Sequence, residues 1–167
     1  MDLSTTYLGM TLKNPLVPSA SPLSRSLEAA RLLEDSGAGA LVMYSLFEEA
    51  VTAEEEAMVR FLHHQDTGFG EADSFLPDHM DFPGELDRYL EQVASLKATL
   101  GIPVIASLNG VTSGGWVEHA KEIQDAGADA LELNVYYVAA DITQSSGAVE
   151  ERYTSLLEEL KRHITIP

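Results

Sequence analysis

The 167-residue sequence contains no cysteine and few basic residues. Without cysteine, the chain has no disulfide bonds, no thiolate metal ligands and no cysteine nucleophile. The 10 Lys and Arg residues are outnumbered by 27 Asp and Glu, which gives a formal net charge of −17. Because nucleic-acid backbones are bound by basic surfaces, this balance argues against a nucleic-acid partner.

Long apolar runs are also missing. No stretch approaches the roughly 18 apolar residues that a membrane-spanning helix needs, and residues 1–7 lack the basic and apolar regions of a signal peptide. We therefore expect a cytoplasmic protein without a membrane span. The apolar content of 45% is sufficient for one globular unit with a sizeable core.

The hydrophobic pattern predicts a short hairpin over Tyr7–Lys13 and then a strand from Leu16 that ends at Ser19-Ala20-Ser21. Helices and strands alternate after it, and residues 63–84 form a long loop without a clear period. The predicted elements are a helix from Ser26 to Gly37, a strand over Ala40–Ser45, helices over Glu54–Leu62 and Leu86–Leu100, a strand over Val104–Leu108, a helix through Trp116 to Gly127, a strand over Ala130–Val135 and a helix over Val149–His163.

Two segments of this pattern are repeated. Asp35–Leu41 recurs as Asp125–Leu131, each with a helix end, a glycine suited to the left-handed conformation and a strand, and Leu96–Pro103 recurs as Leu160–Pro167. Repeated helix–strand units predict a parallel sheet in an α/β fold. No G-x-G-x-x-G follows the first strand, which weakens a dinucleotide-binding interpretation. A closed barrel needs about 200–250 residues. The prediction is therefore a partial TIM (β/α) barrel, with about four βα units preceded by a short β-hairpin.

Polar residues stand where the predicted strands end, which is where βα barrels place their active sites. From the residues alone two interpretations stay open, an active site or simple boundaries between strands and loops. The segments in question are Ser19–Ser21, Tyr44–Ser45, Ser107–Gly110 and Asn134–Tyr137.

Four segments carry a family resemblance. Leu12–Ala20, Ile102–Gly110, the helix through Trp116 to Gly127, and Ala128–Asn134 resemble the dihydroorotate dehydrogenases and the pyrimidine-binding barrel of dihydropyrimidine dehydrogenase. The resemblance implies that residues 1–167 are the amino-terminal half of such a (β/α)8 barrel, truncated before strand 5.

The resemblance also implies a cofactor and its ligands. The family binds FMN at the barrel mouth and oxidises a CH–CH bond of a dihydropyrimidine. By position, Asn134 is expected to contact both flavin and substrate, Asn109 is expected near the flavin, and Ser19, Ala20 and Ser21 are expected against the flavin ring.

The sequence departs from the family at two positions. Tyr137 stands at the position of the family's catalytic cysteine, although tyrosine is a poor general base at neutral pH. Tyr44 replaces a lysine near flavin and substrate, so we assign it to substrate binding. His63, His64 and His79 fall in the divergent loop, where exposed histidines are commoner than ligands, and we predict no metal site.

The leading hypothesis is a dihydroorotate dehydrogenase-like, FMN-dependent oxidoreductase that acts on a CH–CH bond. It would function in pyrimidine biosynthesis or act on a related substrate. The chain alone is expected to be inactive, because the family holds the FMN phosphate after strands seven and eight. The alternatives are a non-catalytic half-barrel that acts as an interaction module, for example as a homodimer in which two halves close each other's edges, and an incomplete product without a function of its own.

Overall fold

The chain begins with an antiparallel hairpin of two short strands. The computed structural model describes residues 1–64, 83–110 and 113–167, and its first elements are β1 (Thr5–Tyr7) and β2 (Met10–Leu12). The turn between them places Leu8 at φ 50° and Gly9 at φ 77°. Left-handed conformations at both turn residues suit a tight hairpin, and glycine accepts them without steric cost. The predicted hairpin is confirmed.

A 3₁₀ turn at Pro22–Arg25 leads into alternating helices and strands. Strands β3, β4 and β5 form a parallel sheet in that order, which confirms the predicted α/β class, while closure into a barrel stays a prediction. The elements are α1 (Leu27–Asp35), β3 (Leu41–Phe47), α2 (Glu48–His64), α3 (Glu85–Thr99), β4 (Val104–Gly110), α4 (Ser113–Asp125), β5 (Ala130–Val135) and α5 (Ser146–His163). No helix in these ranges is long and apolar enough to cross a membrane.

The repeated helix–strand motif has the predicted geometry. Ser26 caps α1, since its hydroxyl accepts a hydrogen bond from the Ala29 amide at 3.3 Å. Gly37 at φ 106° and Gly127 at φ 102° follow the ends of α1 and α4 in the left-handed conformation. Each glycine turns the chain from a helix into the next strand.

The strand predicted from Leu16 is not a regular strand. The Leu16 and Pro18 carbonyls accept hydrogen bonds from the Gly39 and Val42 amides, at 2.7 and 3.1 Å. The segment therefore lies extended beside β3, but Pro18 has no N–H to donate in return. The two carbonyls are two positions apart, whereas the amides that donate to them are three positions apart, so the register is irregular.

The sheet has two different faces. One packs against the helices and forms the main core, with Met43, Leu46 and Leu108 against Val93 and Leu96. The other face begins with a smaller apolar cluster in which the hairpin residue Leu12 packs near Val42, Ile105 and Ala130. Further along the same face, towards the carboxyl ends of the strands, the side chains become polar.

A bulge in β3 decides which of its residues face each side. The pairing of β3 with β4 shifts register between Val42 and Ser45. The bulged Tyr44 amide donates to the hydroxyl of fully buried Ser24, at 2.6 Å. Tyr44 therefore lies with the helix-facing core, and Ser45 lies on the opposite face.

The partner strand also loses its ladder bonds at the bulge. The Tyr89 hydroxyl of α3 replaces them, accepting from the Ser107 amide at 2.9 Å and donating to the Ser107 carbonyl at 3.0 Å. One buried hydroxyl thus satisfies both backbone groups that the register shift leaves unpaired.

Candidate active site

A row of three residues crosses the carboxyl ends of the sheet. Phe47, Asn109 and Asn134 are neighbours in register on β3, β4 and β5. They line a cleft of about 300 Å³. The remaining lining comes from Glu49, Gly110, Val135 and Tyr136.

Asn109 carries an unpaired polar atom in this cleft. Its Oδ1 is buried and has no hydrogen-bond partner among the residues that the structure describes. Leaving a buried acceptor unpaired costs about 1–3 kcal/mol, so such an atom indicates a place where a bound group donates a hydrogen bond. Asn134 lies beside it on the next strand and is exposed. Two adjacent amides together offer both donors and acceptors.

A second polar row lies one layer below. The Ser45 and Ser107 hydroxyl oxygens are 2.9 Å apart, and the Ser107 hydroxyl donates to Glu132 Oε1 at 2.9 Å. Sequence reasoning missed Glu132. The available signal was a glutamate two residues before Asn134, hence on the same face of the strand.

The first-strand residues Ser19, Ala20 and Ser21 are not among the residues that line the cleft. Ala20 packs against the small apolar cluster on the same sheet face as Asn109. The Ser21 carbonyl accepts from Ser24 and begins the 3₁₀ turn, while Ser19 is exposed. Their contact with a flavin stays a prediction.

Tyr44 lies away from the asparagines. Its ring makes an edge contact with Tyr89, with centroids 5.1 Å apart and planes at 77°, and the Arg25 guanidinium lies 3.9 Å above its centroid. Burial raises the pKa of Tyr44, and Arg25 partly opposes that shift. Because of the bulge, the structure does not bring Tyr44 into the cleft, and its position gives no support to the predicted role in substrate binding.

Tyr137 lies in an adjoining cleft. Its hydroxyl donates to Gln144 Oε1 at 2.6 Å, and the Arg152 guanidinium lies 4.0 Å above its ring. Tyr137 is not among the residues lining the asparagine cleft, whereas its neighbour Tyr136 lines both. The assignment of Tyr137 to the position of the base stays a prediction.

The floor between β4 and α4 is closely packed. A Cβ atom on Gly110 would lie 2.7 Å from Trp116 Cε2 and 2.8 Å from Glu48 Oε2. Both neighbours are buried, so glycine is required where the Glu48 carboxylate approaches the end of β4. This packing fixes the backbone next to Asn109.

No group of three or more acidic or histidine side chains in the described ranges is arranged to hold a metal ion. His79 lies outside the described residues, as do the side chains of His63 and His64.

Comparison with known proteins identifies relatives over most of the chain. No family model matches the sequence. The NAD-dependent dihydropyrimidine dehydrogenase subunit PreA of Escherichia coli is 30% identical over 176 residues, which cover 99% of this chain and 40% of that protein. The catalytic subunit of dihydroorotate dehydrogenase B (NAD(+)) from Methanosarcina acetivorans is 33% identical over 129 residues, covering 76% of this chain and 38% of that protein.

A more distant match has a related name. The putative dihydroorotate dehydrogenase A (fumarate) of Aeropyrum pernix is 27% identical over 142 residues, 80% of this chain and 41% of that protein. The chain spans about 40% of the length of the curated relatives it matches. It is therefore a relative of the dihydroorotate dehydrogenases and of the PreA dihydropyrimidine dehydrogenase subunit.

Proposed function

We propose that the chain supplies the asparagine row of an FMN-dependent oxidoreductase that acts on a CH–CH bond of a dihydropyrimidine or a related substrate. The observation that carries the proposal is the unpaired buried Oδ1 of Asn109, in register with Asn134 at the carboxyl end of a parallel sheet. The relatives, which are named as dihydroorotate and dihydropyrimidine dehydrogenases, support the reaction class.

The residues present fit a flavin ring. The pyrimidine edge of the ring system has an N–H between carbonyl groups, which matches the acceptor and donor atoms of Asn109 and Asn134. Phe47, 49% exposed, offers an apolar surface at the other end of the row. When bound, FMN supplies the hydride acceptor. The two amides bind and orient its ring, and the same polar edge occurs on a dihydropyrimidine substrate.

We further propose that residues 1–167 form the amino-terminal half of a (β/α)8 barrel. The parallel order β3-β4-β5, the helical crossovers and the match to about 40% of each relative support this division. The hairpin then covers the amino end of the inner face through Leu12. A cytoplasmic location remains our prediction.

Flavin binding to the purified chain tests the proposal. We expect FMN fluorescence titration to show weak binding, with similar affinity for riboflavin if the phosphate is held by later parts of a barrel. Asn109→Ala and Asn134→Ala should each weaken binding about 2- to 10-fold, the value of one or two hydrogen bonds. Asn14→Ala is the matched control, because this side chain donates to the Gly37 carbonyl at the opposite end of the sheet, at 2.8 Å.

Each outcome of the titration has a separate meaning. Absence of FMN binding to the wild-type chain at millimolar concentration would refute the flavin proposal. Equal weakening by all three alanine variants would refute the site. A strong preference for FMN over riboflavin would instead contradict the half-barrel division, because this chain would then hold the phosphate itself.

A second candidate, an interaction module that pairs with another half-barrel or with its own copy, is supported by the edge of β5. The Leu131 amide donates to the Pro167 carbonyl at 2.9 Å, just as the Leu41 amide donates to the Pro103 carbonyl where β3 meets β4. The repeated Ile-Pro motif thus begins parallel pairing at both places. Beyond Leu131, however, β5 is the edge strand of the order β3-β4-β5 among the described residues, and such an edge can pair with a strand of another half-barrel. Light scattering during gel filtration tests the homodimer, and a monomer at 100 µM or so would contradict it.

A further inference from the structure

A hydrogen-bonded network of three polar side chains, the Ser45–Ser107–Glu132 network, crosses the sheet beneath the asparagine row. Ser45 pairs in register with Ser107, and Ser107 pairs with Glu132. Fully buried Ser107 has a single hydroxyl proton, and it donates that proton to Glu132 Oε1 at 2.9 Å. The 2.9 Å contact between the serines must therefore be donated by Ser45, whose own lone pairs are left to accept. Both hydrogen bonds of the network therefore point in one direction, from Ser45 towards the Glu132 carboxylate.

The Ser45–Ser107–Glu132 network lies directly beneath the cleft, and none of its members is among the residues that line it. Each member lies two residues before a member of the row Phe47, Asn109 and Asn134, so both rows share one sheet face about 7 Å apart along the strands. Below it lies the apolar cluster of Val42, Ile105 and Ala130. The carboxylate is therefore held between an apolar layer and the row of residues that lines the cleft.

Glu132 is also not neutralised by a cation. Its side chain is partly buried, and it forms no ion pair with any residue that the structure describes. A sheet that needed only a structural link here would be served equally by a third hydroxyl or an amide. An ionised group in a half-buried layer instead acts electrostatically on whatever occupies the space above it.

We propose that Glu132 is a positioning residue that sets the direction of the Ser107 and Ser45 hydroxyls and places a negative charge beneath the ring system bound by the asparagines. This inference rests on the proposed function. Two electrons and one proton added to a flavin ring leave it with one negative charge, and the Glu132 carboxylate opposes that charge. The chain consequently binds oxidised FMN in preference to reduced FMN.

The experiment compares the affinity for oxidised FMN with that for reduced FMN, measured anaerobically on the full chain. Glu132→Gln keeps an oxygen that accepts from Ser107 but removes the charge. We expect it to raise the ratio of reduced to oxidised affinity about tenfold, the scale of one charge at this distance in a partly buried site. Glu158→Gln, an exposed change on α5, is the matched control and should leave the ratio unchanged.

Two further variants separate charge from packing. Glu132→Asp retains the charge and should keep a ratio near that of the wild type even if it lowers stability. Ser107→Ala breaks the Ser45–Ser107–Glu132 network but leaves the charge of Glu132. It should therefore weaken the binding of oxidised and of reduced FMN by the same factor and leave their ratio unchanged. A Gln variant that matches the wild type, or an Asp variant that matches Gln, would overturn the proposal.

The outcomes also separate this inference from the function on which it rests. If the wild-type chain binds no flavin, both fall together. If it binds flavin and the asparagine variants weaken binding, but the affinity ratio does not respond to Glu132→Gln, only the role of Glu132 is refuted.

Discussion

Replacing Tyr89 with phenylalanine removes one hydroxyl from the centre of the protein and keeps the ring. That hydroxyl bonds both the amide and the carbonyl of Ser107, at 2.9 and 3.0 Å, and the side chain is fully buried. The ring contact with Tyr44 does not depend on the oxygen. Each buried backbone group left without a partner costs about 1–3 kcal/mol, so for two groups we expect a loss of about 2–6 kcal/mol.

Urea unfolding followed by circular dichroism measures this loss. Tyr153→Phe is the matched control, because the same hydroxyl is removed from a side chain that is 43% exposed. For a chain of this size, each kcal/mol corresponds to about 2–4 °C in Tm, so Tyr89→Phe should melt roughly 4–24 °C below the control. A loss below about 0.5 kcal/mol, the range of ordinary surface substitutions, would refute the argument that Tyr89 stabilises the bulge.

The same variant has a pH signature. Burial raises the pKa of Tyr89 above the ordinary tyrosine value of 10.0. The native state therefore keeps a proton that the unfolded chain releases, so the contribution is complete below about pH 10 and declines above it. The stability difference between wild type and Tyr89→Phe should narrow between pH 9 and 11. A constant difference over that interval would contradict the raised pKa.

Two further pairs of substitutions test the interactions around the sheet. Gly110→Ala forces a methyl group against buried neighbours and should lower the unfolding free energy by about 1–3 kcal/mol. The control is Gly147→Ala in the first turn of α5, where a Cβ atom would have nothing within 4 Å, so this change should be neutral or stabilise by up to about 1 kcal/mol. Equal melting temperatures of the two variants would contradict this expectation. Asp129→Ala removes the carboxylate that accepts hydrogen bonds from the Lys97 ammonium and the Val104 amide, at 2.6 and 2.7 Å. In urea titrations it should lower the unfolding free energy by about 1–2 kcal/mol, and Asp129→Asn should recover part of that stability.

Local signals predicted the regular parts of the fold. The bounds of β5 agree with the prediction of Ala130–Val135, and the capping serine of α1 and its terminal glycine have the expected geometry. These features depend on residues within a few positions of one another. The helix after β3 was predicted to begin at Glu54 but begins at Glu48. The prediction missed this start because Glu48 is buried, whereas a glutamate in a sequence is ordinarily read as a surface residue.

Which face of the sheet each β3 side chain occupies depends on residues that are far away in the sequence. Regular alternation from Val42 would place Tyr44 on the inner face, where the family resemblance alone had assigned it to substrate binding. The bulge that reverses this orientation is stabilised by hydroxyls of Ser24 and Tyr89, which are 20 and 18 positions away from the groups they bind. No local pattern announces such a pairing. Glu132 was missed for the same reason, since its partner Ser107 lies 25 positions away.

The bulge also separates position in a sequence from position in space. Tyr44 was predicted from the family resemblance to replace a lysine, yet Ser45 lies on the inner face at that level of the strand. A role assigned by position along the sequence can therefore fall on a residue that lies on the other face of the sheet. Removing the Ser24 and Tyr89 hydroxyls together would favour a return to regular alternation, and the inner wall would then present a phenol in place of a serine. The chemistry offered to a ligand is therefore governed by two side chains that never touch it.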